Sequence, residues 1–360
     1  MCKSDEGEAT IRFEDLLHPT PKGLYCPPGD FFVDPTRPVA RAVITHGHAD
    51  HARSGHDAVL ATPETLAIMG ERYGQDFCRT RQAAPYGQAA EIGGVAVTLV
   101  PAGHVLGSAQ ALIAWRGLRI VVSGDYKRRR DPTCAPFETT PCDVFISEAT
   151  FGLPVFTHPP DGEEISRLIA SVGRFPERAH LVGAYALGKA QRVIRLLREA
   201  GWDRPIYVHG ALERLNALYA AHGVDLGPLR PATAAADGAA GEIVLAPPSA
   251  TQDRWSRRFA DPVTAFASGW MGVRARARQR GVELPLVISD HADWPELTAT
   301  FTELRPREAW ITHGREEGLL RWCELNDQPA RALRLVGYDE EDDVAEEEAA
   351  DGGTSGAAAS

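Results

Sequence analysis

Six times along this 360-residue chain a short apolar run leads into a histidine or an acid, and any fold the chain adopts must answer that pattern. Ala42-Val43-Ile44 leads into Thr45-His46-Gly47-His48-Ala49-Asp50-His51, and residues 97–100 lead to His104. Residues 120–122 lead to Asp125, 144–146 to Glu148, 286–288 to His291, and 309–311 to His313. Short apolar runs bounded by Gly, Pro and Asp read as strands, and strand ends are where a scaffold gathers side chains from distant parts of a sequence. The densest of the six, H-x-H-x-D-H, reads as half of a two-metal site. Side chains at i and i+2 of an extended segment point the same way, so His46 and His48 can grip one cation. Asp50 and His51 lie beyond the turn and can face a second.

The texture of the chain changes once. From residue 31 to 146 strand-like runs follow one another, with 63–74 the clearest helix among them, and this predicts stacked sheets. After Gly152 strands and helices alternate: helix 162–172, strand 180–185, helix 189–200, strand 206–208, helix 212–221. That order predicts crossover connections and a parallel sheet. A Gly/Ala/Pro-rich stretch at 227–241 reads as a surface loop, with strands expected at 242–246 and 263–267. From residue 284 the reading is strand 286–288, helix 294–304, strand 309–311 and helix 316–325.

Taken together and in order, these motifs resemble those of the metallo-β-lactamase-fold hydrolases, from about residue 25 to 335. The α/β insertion and the two late motifs around His291 and His313 resemble the β-CASP nuclease branch, as do Ala184-Tyr185-Ala186-Leu187-Gly188-Lys189-Ala190-Gln191 and Ala267-Ser268-Gly269-Trp270-Met271. More narrowly, the pattern is similar to bacterial DNA-ligase-associated exonucleases, relatives of messenger-RNA 3′-end processing factors. The resemblance implies an α+β fold: a metallo-β-lactamase αβ/βα sandwich (residues 1–152 and 284–338) interrupted by a β-CASP cap (153–283), with a disordered acidic tail (339–360). It also implies that His46, His48 and His104 hold one metal, that Asp50, His51 and His313 hold a second, and that Asp125 bridges them. Asp34 would brace a ligand histidine, with Asp30 a competing choice.

Such a donor set suits zinc and also admits manganese, and two divalent cations there imply phosphodiester hydrolysis. His291 is the candidate proton donor to the departing oxygen, with Glu148 orienting its imidazole. Lys189 at a predicted helix start, the Ser268 and Gly269 donors, and Lys127 at the head of Lys127-Arg128-Arg129-Arg130 are candidate phosphate contacts. Arg274, Arg276, Arg278 and Arg280 form a second basic run, and Trp270 is either a base-stacking residue or core. The function expected is a DNA exonuclease in repair, with an ATP-dependent ligase and a helicase as pathway partners. An RNA-processing β-CASP nuclease, a small-substrate hydrolase and a non-catalytic scaffold are the alternatives.

Taken over the whole chain, a net charge of −11 opposes a nucleic-acid partner. Residues 339–360, however, hold nine acids and no Lys or Arg, and without those nine charges the body stands at −2. No apolar run approaches the ~18 residues of a membrane span, and the first residues lack a signal-peptide core. These features, with six cysteines in no C-x-x-C pair, predict a cytoplasmic protein with reduced thiols.

Overall fold

The computed structural model describes residues 11–335; the acidic stretch 339–360 lies outside them. After a short helix α1 (Phe13–Leu16) the chain builds a first sheet in sequence order. Its strands are β1 (His18–Thr20), β2 (Gly23–Cys26), β3 (Phe31–Val33), β4 (Arg41–Val43), β5 (His56–Ala61) and β6 (Cys78–Ala83). Helix α2 (Pro63–Tyr73) joins the last two; Thr62 caps it by accepting from the Thr65 amide, and Pro63 sits at its first position. A second sheet follows with β7 (Ala89–Ile92), β8 (Val95–Pro101), β9 (Ala109–Trp115), β10 (Leu118–Val122) and β11 (Val144–Ala149). Leu24, Val33, Val43 and Leu60 of the first sheet share one apolar core with Val97, Ile113, Ile120 and Ile146 of the second. The two sheets therefore pack face to face, as an α+β sandwich requires.

A third sheet is inserted next: β12 (His180–Gly183), β13 (Ile206–Val208), β14 (Leu229–Pro231), β15 (Ile243–Ala246), β16 (Val263–Ala267) and β17 (Leu284–Leu286). Every pairing in it is parallel, in the order β14-β13-β15-β12-β16-β17. Helices α3 (Asp161–Arg174), α4 (Lys189–Glu199) and α5 (Gly210–Ala221) bury one face of this sheet through Val182, Val208, Leu245 and Ala265. The other face, with Leu181, Val244 and Phe266, lies under 3₁₀ turns and the short helix α6 (Arg274–Gln279). The chain then returns through α7 (Trp294–Leu304), β18 (Glu308–Gly314), α8 (Glu316–Leu325) and β19 (Ala330–Ala332). β18 and β19 complete the second sheet beside β11.

Where expectation and structure differ, the reason is local. The expected strand 286–288 is β17 (Leu284–Leu286) instead, because the Val287 amide donates to Glu164 Oε2 (2.8 Å) rather than to a neighbouring strand. The stretch 227–241 is not all loop, since Leu229–Pro231 pairs as an edge strand with β13.

The third sheet is tied to the sandwich through buried charge. Arg192 of α4 is fully buried between Asp131 (2.5 Å) and Asp161 (2.6 Å). Replacing Arg192 by alanine leaves two buried carboxylates uncompensated, so a loss of about 3–5 kcal/mol in unfolding free energy is expected. Denaturant titration of the variant measures it.

Candidate metal centre

The opening motif sits where β4 gives way to a loop, and three side chains hold that loop. Asp34 Oδ1 accepts from the Thr45 amide (2.8 Å), Asp34 Oδ2 accepts from the Thr45 hydroxyl (2.6 Å), and His51 Nδ1 donates to the same oxygen (2.9 Å). With Nδ1 so engaged, His51 turns Nε2 toward Asp50 (3.5 Å) and Asp125 (3.6 Å). Asp34 is thus the bracing acid; Asp30 lies at the surface, paired with Arg41 and Tyr25. Replacing Asp34 by alanine is expected to weaken metal binding about 10–100-fold, which competition with a chelator measures.

His104 arrives on a loop that tolerates little change. Thr62 and Thr65 both donate to the Gly107 carbonyl, and Ser108 Oγ accepts from the His104 and Val105 amides. Gly103 adopts φ +75°, and a Cβ there would lie 2.2 Å from the Lys127 carbonyl oxygen, so only glycine fits. His104 Nδ1 donates to the Asp290 carbonyl (3.0 Å), which points Nε2 at His48 Nδ1 (3.0 Å) and Asp125 Oδ2 (3.7 Å). His46 Nε2 lies 3.3 Å from that same Asp125 oxygen, is buried and has no hydrogen bond. His313, near the end of β18, takes a left-handed φ of +60°. Its ring faces Asp50 (3.9 Å) and Asp125 Oδ1 (4.0 Å).

The ligand atoms fall into two groups, His46, His48, His104 and Asp125 on one side and Asp50, His51 and His313 on the other. Asp125 offers one oxygen to each. Burial, reinforced by neighbouring imidazoles, holds His46 and His104 well below the usual histidine range, and His313 falls to about 4 for the same reasons. All three are then neutral, the ligating form. Burial acts the same way on His51, but Asp125, Asp50 and Asp34 outweigh it and lift His51 to about 10. Burial pushes Asp125 up to about 7 against the pull of His51 and His291. Asp50 and Asp125 offer carboxylate oxygens beside these imidazoles, a donor set that could hold divalent cations. Nitrogen and oxygen donors of this kind fit zinc and do not exclude manganese.

Glu148, at the end of β11, accepts from the Tyr126 amide (2.6 Å), the Thr150 hydroxyl (2.6 Å) and His291 Nδ1 (2.8 Å). Burial alone would raise its carboxyl; His291 beside it outweighs that, and Glu148 is held below the ordinary glutamate range. His291 follows Asp290 in a loop that Asp293 closes by capping α7.

The four expected phosphate contacts are placed differently. Lys127 is buried, donating to the His291 carbonyl and facing Glu296 (3.5 Å). Lys189 is buried against Asp290 (2.5 Å), a partner that reading residues singly passed over although it directly precedes His291. Ser268 Oγ accepts from the Trp270 amide, and a Cβ on Gly269 would meet Phe151 and His158, so neither lines an open groove. Arg128, Arg129 and Arg130 pair with Glu303, Asp293 and Glu199. Trp270 is 3% exposed and serves as core.

Comparison with known proteins agrees with this geometry in part. No family profile matches the chain. A "Probable DNA ligase" of Opitutus terrae is 28% identical over 314 residues, covering 84% of this chain and 30% of that protein. Cleavage and polyadenylation specificity factor subunit 3 of Dictyostelium discoideum is 36% identical over 58% of this chain and 31% of its own length. Endoribonuclease ysh1 of Aspergillus fumigatus is 35% identical over 36% of this chain and 14% of its own. The chain thus spans about a third or less of the curated relatives it matches. A crystal structure of a protein of unknown function from Enterococcus faecalis V583 superposes with a TM-score of 0.57 at 12% identity, over 82% of this chain and 80% of that one, a likeness of fold alone. The relatives bear out the resemblance to β-CASP metallo-β-lactamase nucleases and divide between DNA and RNA in their names. Among the described residues no helix is long and apolar enough to cross a membrane.

Proposed function

We propose that this chain is a metal-dependent nuclease of the β-CASP branch that hydrolyses phosphodiester bonds of DNA, working from an end. On this reading the two packed sheets form a metallo-β-lactamase sandwich, residues 153–283 are its cap, and the protein serves DNA repair in the cytoplasm beside an ATP-dependent ligase and a helicase. One observation carries the reading. Seven donors from four separated segments, Asp125 at their centre, converge in one cluster, and a buried Glu148–His291 pair stands beside them. His46, His48 and His104 would hold one cation and Asp50, His51 and His313 the other, with Asp125 between. Two such cations, when bound, activate water and neutralise charge on the scissile phosphate.

The chain's own part is orientation and proton delivery. Glu148 fixes His291 through Nδ1 and stabilises its imidazolium, so Nε2–H can be given to the departing oxygen. Asp34 and the Asp290 carbonyl fix the tautomers of His51 and His104. An intact donor set speaks against a non-catalytic scaffold, and an insertion of about 130 residues serves no evident purpose for a small substrate. The second reading, an RNA-processing nuclease, is favoured by the likeness to the endoribonuclease and the polyadenylation factor. End-labelled single- and double-stranded DNA and RNA, incubated with zinc or manganese, separate the two: preferential shortening of DNA from one end is expected, and internal cleavage of RNA alone would transfer the conclusion to the second reading.

A further inference from the structure

The basic run at 274–280 does not enter the metal centre, yet it begins at its wall. The His291 ring lies 6.3 Å from Phe151, Phe151 lies 4.7 Å from Trp270, and the Arg276 guanidinium lies 4.0 Å over Trp270. One turn further along α6, Arg280 covers the Phe266 ring at 4.8 Å. The Arg280 carbonyl accepts from Gln252 Nε2 (2.6 Å), which joins α6 to the 3₁₀ turn Arg254–Arg258. These segments overlie the second face of the third sheet, where among the described residues no long helix covers it.

Residues 248–281 carry seven arginines against two acids, a local excess of positive charge in a body that is slightly negative as a whole. Of the two acids, Asp261 is turned to Arg178 (3.3 Å) and Asp253 accepts from the Trp255 amide. Arg254, Arg257, Arg258, Arg274 and Arg278 are exposed, and none pairs with a carboxylate among the described residues. The contrast with Arg128, Arg129 and Arg130, all of them ion-paired, is sharp. Exposed guanidinium groups on two joined segments, reached from the metal centre through Phe151 and Trp270, match the charge of a phosphate backbone.

We infer that this arginine face is a second nucleic-acid contact, holding the sugar-phosphate backbone that flanks the bond being cleaved. The inference rests on the nuclease reading for its direction, but it is tested by binding rather than by turnover. A five-site variant, Arg254, Arg257, Arg258, Arg274 and Arg278 each →Gln, changes only exposed side chains. Affinity for a labelled 30-nucleotide single strand is measured across salt concentration, and hydrolysis of bis(4-nitrophenyl) phosphate is measured with the metal-loaded protein. The variant is expected to bind at least tenfold more weakly at low salt. Its slope of log affinity against log salt should be shallower by about 2 or more, since each phosphate contact contributes about 0.7 on a single strand. Hydrolysis of the small diester should be unchanged. An unchanged salt slope overturns the inference, and so does polyglutamate binding as tight as the oligonucleotide's, which would make the partner an acidic peptide. Failure of the wild type to hydrolyse the small diester refutes the nuclease reading and leaves the binding arm to decide the face by itself.

Discussion

Replacing Asp125 by alanine should bring DNA cleavage down to background, a loss of at least about 1,000-fold, or ~4 kcal/mol of transition-state stabilisation. The size follows from its position. Oδ2 lies 3.3 Å from His46 Nε2 and 3.7 Å from His104 Nε2, while Oδ1 lies 3.6 Å from His51 Nε2 and 4.0 Å from His313 Nδ1. No other carboxylate among the described residues stands between both histidine groups, so on the proposed assignment its loss would remove a ligand from each cation at once. Metal analysis of the purified variant should return less bound metal per chain than the wild type. Asp125→Asn keeps the shape and removes the charge, and it should fall nearly as far. Full activity with unchanged metal content in either variant would rule out a shared carboxylate.

His291→Ala should behave differently. A positioned proton donor contributes roughly 10²–10⁴-fold, so kcat should fall within that range while both metals stay bound. The effect should depend on the leaving group: a diester whose departing oxygen is already a weak base needs little protonation and should lose least. Glu148→Gln keeps the hydrogen-bonding shape at Nδ1 but withdraws the charge that stabilises the imidazolium, so it should show a smaller loss of the same kind. If His291→Ala also strips metal, His291 belongs among the ligands, near Asp290 and His104, with which it forms a third cluster of donor atoms.

Much of the scaffold was legible because its signals are local. The capping box Asp293…Glu296 with Pro295 in the first turn sets α7 at the residues expected, and the apolar runs before Asp125 and Glu148 are strands β10 and β11. The six polar strand ends were legible as a set for the same reason. What could not be read was the fate of the cations. Lys127 finds Glu296, and Lys189 finds Asp290, across more than a hundred residues of sequence. A lysine near a catalytic motif looks like a substrate contact until such a partner is brought to it. Arg274 and Arg278 presented the opposite case, for the sequence pattern alone did not show that they stay exposed without a carboxylate partner among the described residues.

On the proposed assignment, His291 and His313 also set when in its synthesis the centre can be completed. Both belong to segments made after the whole third sheet has been synthesised, whereas five of the seven proposed ligands precede residue 105. The contacts that join them span up to about 260 residues, and pairings of such separation are the last to form. A nascent chain arrested before residue 284 therefore contains most of the ligands and neither late histidine. On the proposed chemistry, the hydrolytic centre stays incomplete until residue 313 has been made, and cleavage of nucleic acid is confined to chains that have closed their sandwich.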